Sequence, residues 1–139
     1  MAATSAPASP GLIRAFQIVA GVIALLVFLQ AVLAGQFAYG GEQDFIDVHE
    51  MTANVLTLLA IALIVLAYLT RNTWRYRMLI WSVVILALII AQTGLGYVGR
   101  DELDAIAWHI PLGVFLFSLT SIVAMLAFMD ERAKAALGK

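Results

Sequence analysis

Apolar residues along this chain gather into four long blocks, 12–37, 48–69, 76–98 and 105–129, with short polar stretches between them. A helix needs about 20 residues to cross the hydrocarbon core of a bilayer, and every block reaches that length. Gly40 and Gly41 break the chain after the first block, and an acidic stretch at 42–47 leads into the second. Asn72 and Thr73 mark the next turn, and Asp101 or Asp104 is available to cap the fourth helix. Links this short favour an up-down-up-down bundle in which consecutive helices are antiparallel, so the second and fourth run parallel. The pattern predicts an all-α membrane protein, a four-transmembrane-helix bundle forming one domain over 11–130. Residues 1–10, rich in Ala, Ser and Pro, read as a disordered tail, and 131–139 as a cytoplasmic tail. The first block is too long for a cleavable signal, and positive charge around it is sparse, so it is expected to remain a true span.

Composition sharpens this picture. Hydrophobic residues make up 63% of the chain and charged residues 12%, where soluble domains run at about 45–50% and about 25%. The formal net charge of −1 conceals a sharp division. Arg14, Arg71, Arg75, Arg77, Arg132, Lys134 and Lys139 flank one set of helix ends. At the other set Arg100 stands alone against Glu42, Asp44, Asp47, Glu50, Asp101, Glu102 and Asp104. Lys and Arg in short loops mark the cytoplasmic side. Both termini are therefore expected in the cytoplasm, in a bacterial or archaeal cytoplasmic membrane. Tyr39, Phe45, Tyr97 and Trp108 are expected at the outer border, and Tyr68, Trp74, Tyr76 and Trp81 at the inner one. No basic patch suggests nucleic acid. The chain has no cysteine, which excludes a disulfide framework, a thiolate metal site, covalent c-type haem attachment and a cysteine nucleophile.

Only two histidines occur, His49 and His109, each opening a span just after an acidic loop. On parallel helices both imidazoles should lie at one membrane depth. The two hairpins also read as weak repeats. Gln30 and Ala34 in the first helix correspond to Gln92 and Gly96 in the third, and the histidine follows its glutamine by 19 and by 17 residues. Four residues beyond each histidine stands a small residue, Ala53 or Gly113, on the same helix face. Parallel hairpins related by an axis along the membrane normal place the histidines across a pseudo-twofold axis. A flat ligand on that axis would be gripped from both sides.

These positions point to a haem b held by two axial histidines. Ala53, Gly113 and Gly96 would leave room beside it. Gln30 and Gln92 are polar groups in apolar spans, which need partners and often mark functional interiors. Arg100 is placed to pair with a haem propionate through charge-assisted hydrogen bonds, or else with Asp101, Glu102 or Asp104 at the surface. Other readings stay open. Small residues and interhelical glutamine bonds also pack membrane helices that hold no cofactor. Either histidine alone is an ordinary interfacial residue, and Asp47, Glu50 or Asp104 is available to supply carboxylates to a zinc or copper site. Asn54 lies off the His49 face and is assigned to packing, Gln17 to the inner border, and Pro111 to a helix start. Gly94, Gly96 and Gly99 match dinucleotide-fingerprint spacing, but they close a membrane helix and join no strand to a helix.

With these residues in view, the chain resembles one four-helix half of the heme A synthase family, whose members look like two fused four-helix bundles. The stretch from Gln92 to Gly96, followed by Trp108, His109 and Pro111, is similar to the link between the third and fourth helices there. Val48, His49 and Glu50 match the position of the other family histidine. The resemblance spans roughly residues 26–128 and implies that His49 and His109 are the axial ligands of a b-type haem. The chain is similar, too, to uncharacterised single-bundle bacterial membrane proteins with a His-Glu start to the second helix. It departs from the family at Ile46, where an acidic residue is usual, in lacking a cysteine pair in its first outer loop, and in having one bundle.

The expected function is electron transfer or a redox relay near the outer face, because two protein ligands fill both axial positions. A haem-modifying subunit acting as an oligomer and a cofactor-free assembly subunit are the alternatives. The expected partners are the lipid bilayer and a second copy or a redox partner subunit.

Overall fold

The computed structural model describes residues 8–41, 43–74 and 76–138. Residues 1–7, Glu42, Arg75 and Lys139, on which parts of the tail and charge readings fall, lie outside the described residues. The described chain is helical almost throughout: α1 Pro10–Gly40, α2 Gln43–Leu69, α3 Arg71–Trp74, α4 Arg77–Val98, α5 Leu103–Met129 and α6 Glu131–Ala136. Four of these helices, α1, α2, α4 and α5, are long and apolar enough to cross a membrane. Ile18, Leu25, Leu58, Val114 and Met125 all lie on their outward surface, a continuous apolar exterior of the kind that lipid covers. Thr52, Thr57, Ser82, Ser118 and Thr120 each donate to the carbonyl four residues earlier, so these hydroxyls need no water.

Three of the four long helices, α1, α2 and α5, start earlier than their apolar blocks, and α4 starts one residue later. Ser9 Oγ accepts from Leu12 N–H, and Pro10 occupies the first turn of α1, a residue pair suited to a helix start. Helix therefore begins within the stretch that composition assigns to a tail. α1 ends where Gly41 adopts φ 70°, its N–H bonding Phe37 O at 2.8 Å, a left-handed cap that glycine adopts without a Cβ penalty. α2 begins at Gln43 with Asp44 in its first turn, where the N-terminal end of the helix dipole favours negative charge. The N-cap of α5 is Glu102, which makes no side-chain capping bond, and Asp104 sits in the first turn. Pro111 lies inside α5, not at its start, and removes the amide that would bond the carbonyl of Ala107.

Each long helix packs on two others around a ring: α1 on α2 and α5, and α4 on α2 and α5. α2 and α5 consequently face each other across the bundle. Buried side chains follow helical spacing: Ile13, Phe16, Ala20, Ile23 and Val27 on α1; Leu56, Ala60, Leu63 and Ala67 on α2; Met78, Ser82, Ile85 and Ile89 on α4; and Leu116, Thr120, Val123 and Ala127 on α5. This core fills one half of the bundle. Trp74, expected at the membrane border, turns inward and stacks on Phe16 with ring centroids 4.7 Å apart. Gln17, expected at the border, is buried, and its Nε2 donates to Ala127 O at 2.9 Å, tying α1 to α5. Arg77 pairs with Asp130 at 2.7 Å at this same end. The other half of the bundle holds both histidines.

Candidate functional site

His49 and His109 occupy equivalent places, each the seventh residue of its helix counted from Gln43 and from Leu103. Their rings lie close together, with centroids 6.3 Å apart and planes inclined by 49°. Both are half-buried, as are Gln30, Ala34, Ala53, Gln92, Gly96 and Gly113. The stripes of fully buried apolar residues on α1 and α4 thin out past Val27 and Ile89, and those on α2 and α5 take hold at Leu56 and Leu116. The interior at the level of the histidines is thus not closed by large buried side chains as the opposite half is.

Each histidine is held by a reciprocal pair of hydrogen bonds to its glutamine. His49 Nδ1 lies 3.1 Å from Gln30 O, and Gln30 Nε2 donates to His49 O at 2.9 Å. His109 Nδ1 lies 3.0 Å from Gln92 O, and Gln92 Nε2 donates to His109 O at 2.9 Å. The pairs α1–α2 and α4–α5 therefore carry matching bonds. A carbonyl can only accept, so each Nδ1 carries the proton, and in the neutral ring Nε2 keeps its lone pair. Neither Nε2 has a hydrogen-bond partner among the described residues. The side-chain oxygens Gln30 Oε1 and Gln92 Oε1 are buried and likewise unpartnered there. The four unpartnered atoms, two ring nitrogens and two amide oxygens, are all electron-pair donors.

The glycines have a tighter role than composition implies. A Cβ added at Gly96 would lie 3.2 Å from His109 Cε1 and 3.5 Å from its Nδ1. One added at Gly113 would lie 3.0 Å from Gln92 Nε2. Gly96 lets the His109 ring lie against α4 and reach the carbonyl of Gln92, and Gly113 leaves space for the amide that grips His109 O. In the first hairpin Ala34 and Ala53 occupy the matching places, with the same bonds formed.

Arg100, next to α4, pairs with Glu50 on α2 and sits over the Tyr97 ring at 4.6 Å. Its partner is thus the residue after His49, not one of its acidic neighbours in the loop. This ion pair escapes sequence reading because it links residues 50 apart in the chain; the acidic residue beside the histidine was the available signal. Among the described residues no group of three His, Cys, Asp or Glu side chains gathers to hold a metal ion. The carboxylates proposed for a zinc or copper site do not join the imidazoles. Asn54 is exposed on α2, away from the site. Comparison with protein-family models, curated proteins and solved structures finds no match to this chain.

Proposed function

We propose that this protein is a membrane cytochrome that holds one haem b between His49 and His109 near the outer face, and that it transfers electrons. The observation that carries this reading is the close imidazole pair, with each Nδ1 engaged and each Nε2 without a partner among the described residues. Metal–imidazole bonds are about 2 Å long, and each ring centroid lies about 1 Å behind its nitrogen, so an iron between two axial imidazoles separates the centroids by about 6 Å. The rings here stand 6.3 Å apart. Rotation of each ring about its metal bond is free, so the 49° between the planes fits such a pair.

The donor set supports the same reading. Two imidazoles without a third protein ligand do not complete a zinc or copper site. They do suffice for a metal that arrives with four equatorial nitrogens. A quinone or another carbonyl ligand needs hydrogen-bond donors, whereas both free ring nitrogens here are acceptors. The reading places the helices up-down-up-down, with both termini in the cytoplasm, because the basic residues cluster at the end opposite the histidines.

When bound, the haem iron supplies one-electron transfer. His49 and His109 would hold the haem iron through their two Nε2 atoms, which suits the group to electron transfer. Donation from Nδ1–H to the Gln30 and Gln92 carbonyls fixes the tautomer, holds each ring in place and makes Nε2 a stronger ligand. Arg100, held by Glu50, puts a cation at the rim of the site. That charge is suited to a propionate and would favour the reduced state electrostatically.

The test is the absorption spectrum and chemical haem content of protein purified in detergent after expression with ample haem. One low-spin haem per chain is expected, and His49→Ala and His109→Ala should each abolish its low-spin spectrum. Protein without haem, or an unchanged spectrum in either variant, would overturn the assignment. Porphyrin extracted after turnover should be chemically unaltered; altered side chains would indicate haem modification in place of electron transfer.

A further inference from the structure

At the end of the bundle opposite the histidines lies a cleft of about 290 Å³ lined by Thr73, Trp74, Arg77, Asp130 and Arg132. A water's share of liquid volume is about 30 Å³, so the cleft has room for a polar group of several heavy atoms. Its walls come from three separate parts of the chain: α3, the start of α4, and the junction of α5 with α6. The ion pair between Arg77 and Asp130 joins two of them.

The polar groups lining the cleft are unevenly balanced. Asp130 is fully engaged: one carboxylate oxygen takes Arg77, and the other accepts the backbone N–H groups of Arg132 and Ala133. The Arg132 guanidinium forms no hydrogen bond or ion pair among the described residues, and the nearby Glu131 is paired with Lys134. Arg77 spends one nitrogen on Asp130 and has further N–H groups to offer. Trp74 is 3% exposed, and its indole N–H is buried without an acceptor among the described residues. Thr73, also buried, accepts from Ala8 N–H through Oγ1, which leaves its own hydroxyl proton to donate. The site therefore carries one uncompensated positive charge, two guanidinium groups and unused donors. Among the described residues its only carboxylate, that of Asp130, is already satisfied.

This arrangement is the converse of the histidine site, where the free atoms are acceptors. We propose that the cleft binds the phosphate of an acidic phospholipid headgroup, with Arg132 and Arg77 as its charged contacts and Thr73 and Trp74 as neutral donors. Guanidinium groups match phosphate oxygens in a bidentate manner. The cleft stands where α4 begins and α5 ends, the level at which headgroups of the adjoining leaflet lie, and basic pockets between membrane helices at this level bind anionic lipid headgroups. A lipid is favoured over free phosphate because the exposed apolar flanks of α4 and α5 continue from the cleft and suit acyl chains. The inference does not depend on what the histidines bind.

The test is native mass spectrometry of the full chain in detergent with dioleoylphosphatidylglycerol or dioleoylphosphatidylcholine added, and separately with inorganic phosphate. The wild type should retain phosphatidylglycerol preferentially. Arg132→Ala should lower that retention by about fivefold, the effect of one basic residue near an anionic lipid. It should leave the thermal midpoint unchanged, because among the described residues only the backbone of Arg132 is hydrogen-bonded. Arg132→Lys should restore most of the retention. Arg71→Ala removes a neighbouring charge that stacks on Tyr68 outside the cleft and should have little effect. Equal retention of the two lipids, an unaffected Arg132→Ala variant, or equal losses in Arg71→Ala and Arg132→Ala would overturn the proposal. Binding of inorganic phosphate without any preference for the acidic lipid would overturn the lipid assignment.

Discussion

The same four helices build two halves that are packed in different ways. Away from the histidines, Phe16, Ile23, Leu63, Met78, Ile85 and Val123 interlock with almost no exposure. Around the histidines the inward residues are half-buried, two glutamine oxygens lack partners, and directed hydrogen bonds replace large apolar side chains. The difference implies a division of labour. The packed half determines whether the bundle forms, and the histidine half determines what it holds. Substitutions in one half should therefore leave the property of the other largely intact.

The largest expected effect is on stability. Phe16→Ala removes a fully buried ring and the stacking partner of Trp74, and should lower stability in detergent by about 3–5 kcal/mol. If the proposed haem is held at the histidines, haem per chain in the variant that remains folded should match the wild type. A Phe16→Ala protein that stays folded but loses its haem would break the comparison. A smaller effect is expected from Gly113→Ala. Its new Cβ would lie 3.0 Å from Gln92 Nε2 and push the amide from His109 O, at a cost of about 1–3 kcal/mol and with weaker haem retention. Ala53→Gly, in the matching position, should cost only about 0.5–1 kcal/mol through helix flexibility. Equal haem loss in these two variants would mean that the hairpins are not graded as the glycine contacts indicate.

Gln92→Leu and Gln30→Leu each remove one interhelical bond, worth about 0.5–2 kcal/mol in a membrane protein. Both should broaden the haem spectrum without abolishing it, because the carbonyl accepting from Nδ1 belongs to the backbone. Thermal melts and spectra of the two variants check this. The smallest stability effect is expected for Arg100→Ala, about 0–1 kcal/mol, since its pair with Glu50 is exposed. Redox titration should nevertheless register the lost cation as a more negative potential for the reducing couple. An unchanged potential would remove Arg100 from the site.

Much of this organisation is legible in the sequence, for physical reasons. Four apolar blocks of membrane length leave little choice of fold, and the like spacing of Gln30 and His49 and of Gln92 and His109 is visible in the chain, though not the bonds between them. The less legible parts depend on three-dimensional contact. Helix ends extend into polar residues such as Gln43 and Asp44, because a first turn outside the apolar core tolerates charge. Composition marks Gly96 and Gly113 as small but cannot tell that one lies against an imidazole and the other against an amide. The partner of Arg100 was chosen by the approach of α2 to the end of α4, and not by proximity in the chain. The inward turn of Trp74 depends on Phe16, 58 positions earlier in the sequence.

The most direct test of the central claim is low-temperature electron paramagnetic resonance of the ferric protein, with spins counted against chains. The account predicts one low-spin centre per chain with bis-imidazole character, lost in both His49→Ala and His109→Ala. A high-spin centre, half a centre per chain, or a low-spin signal that survives both substitutions would contradict it.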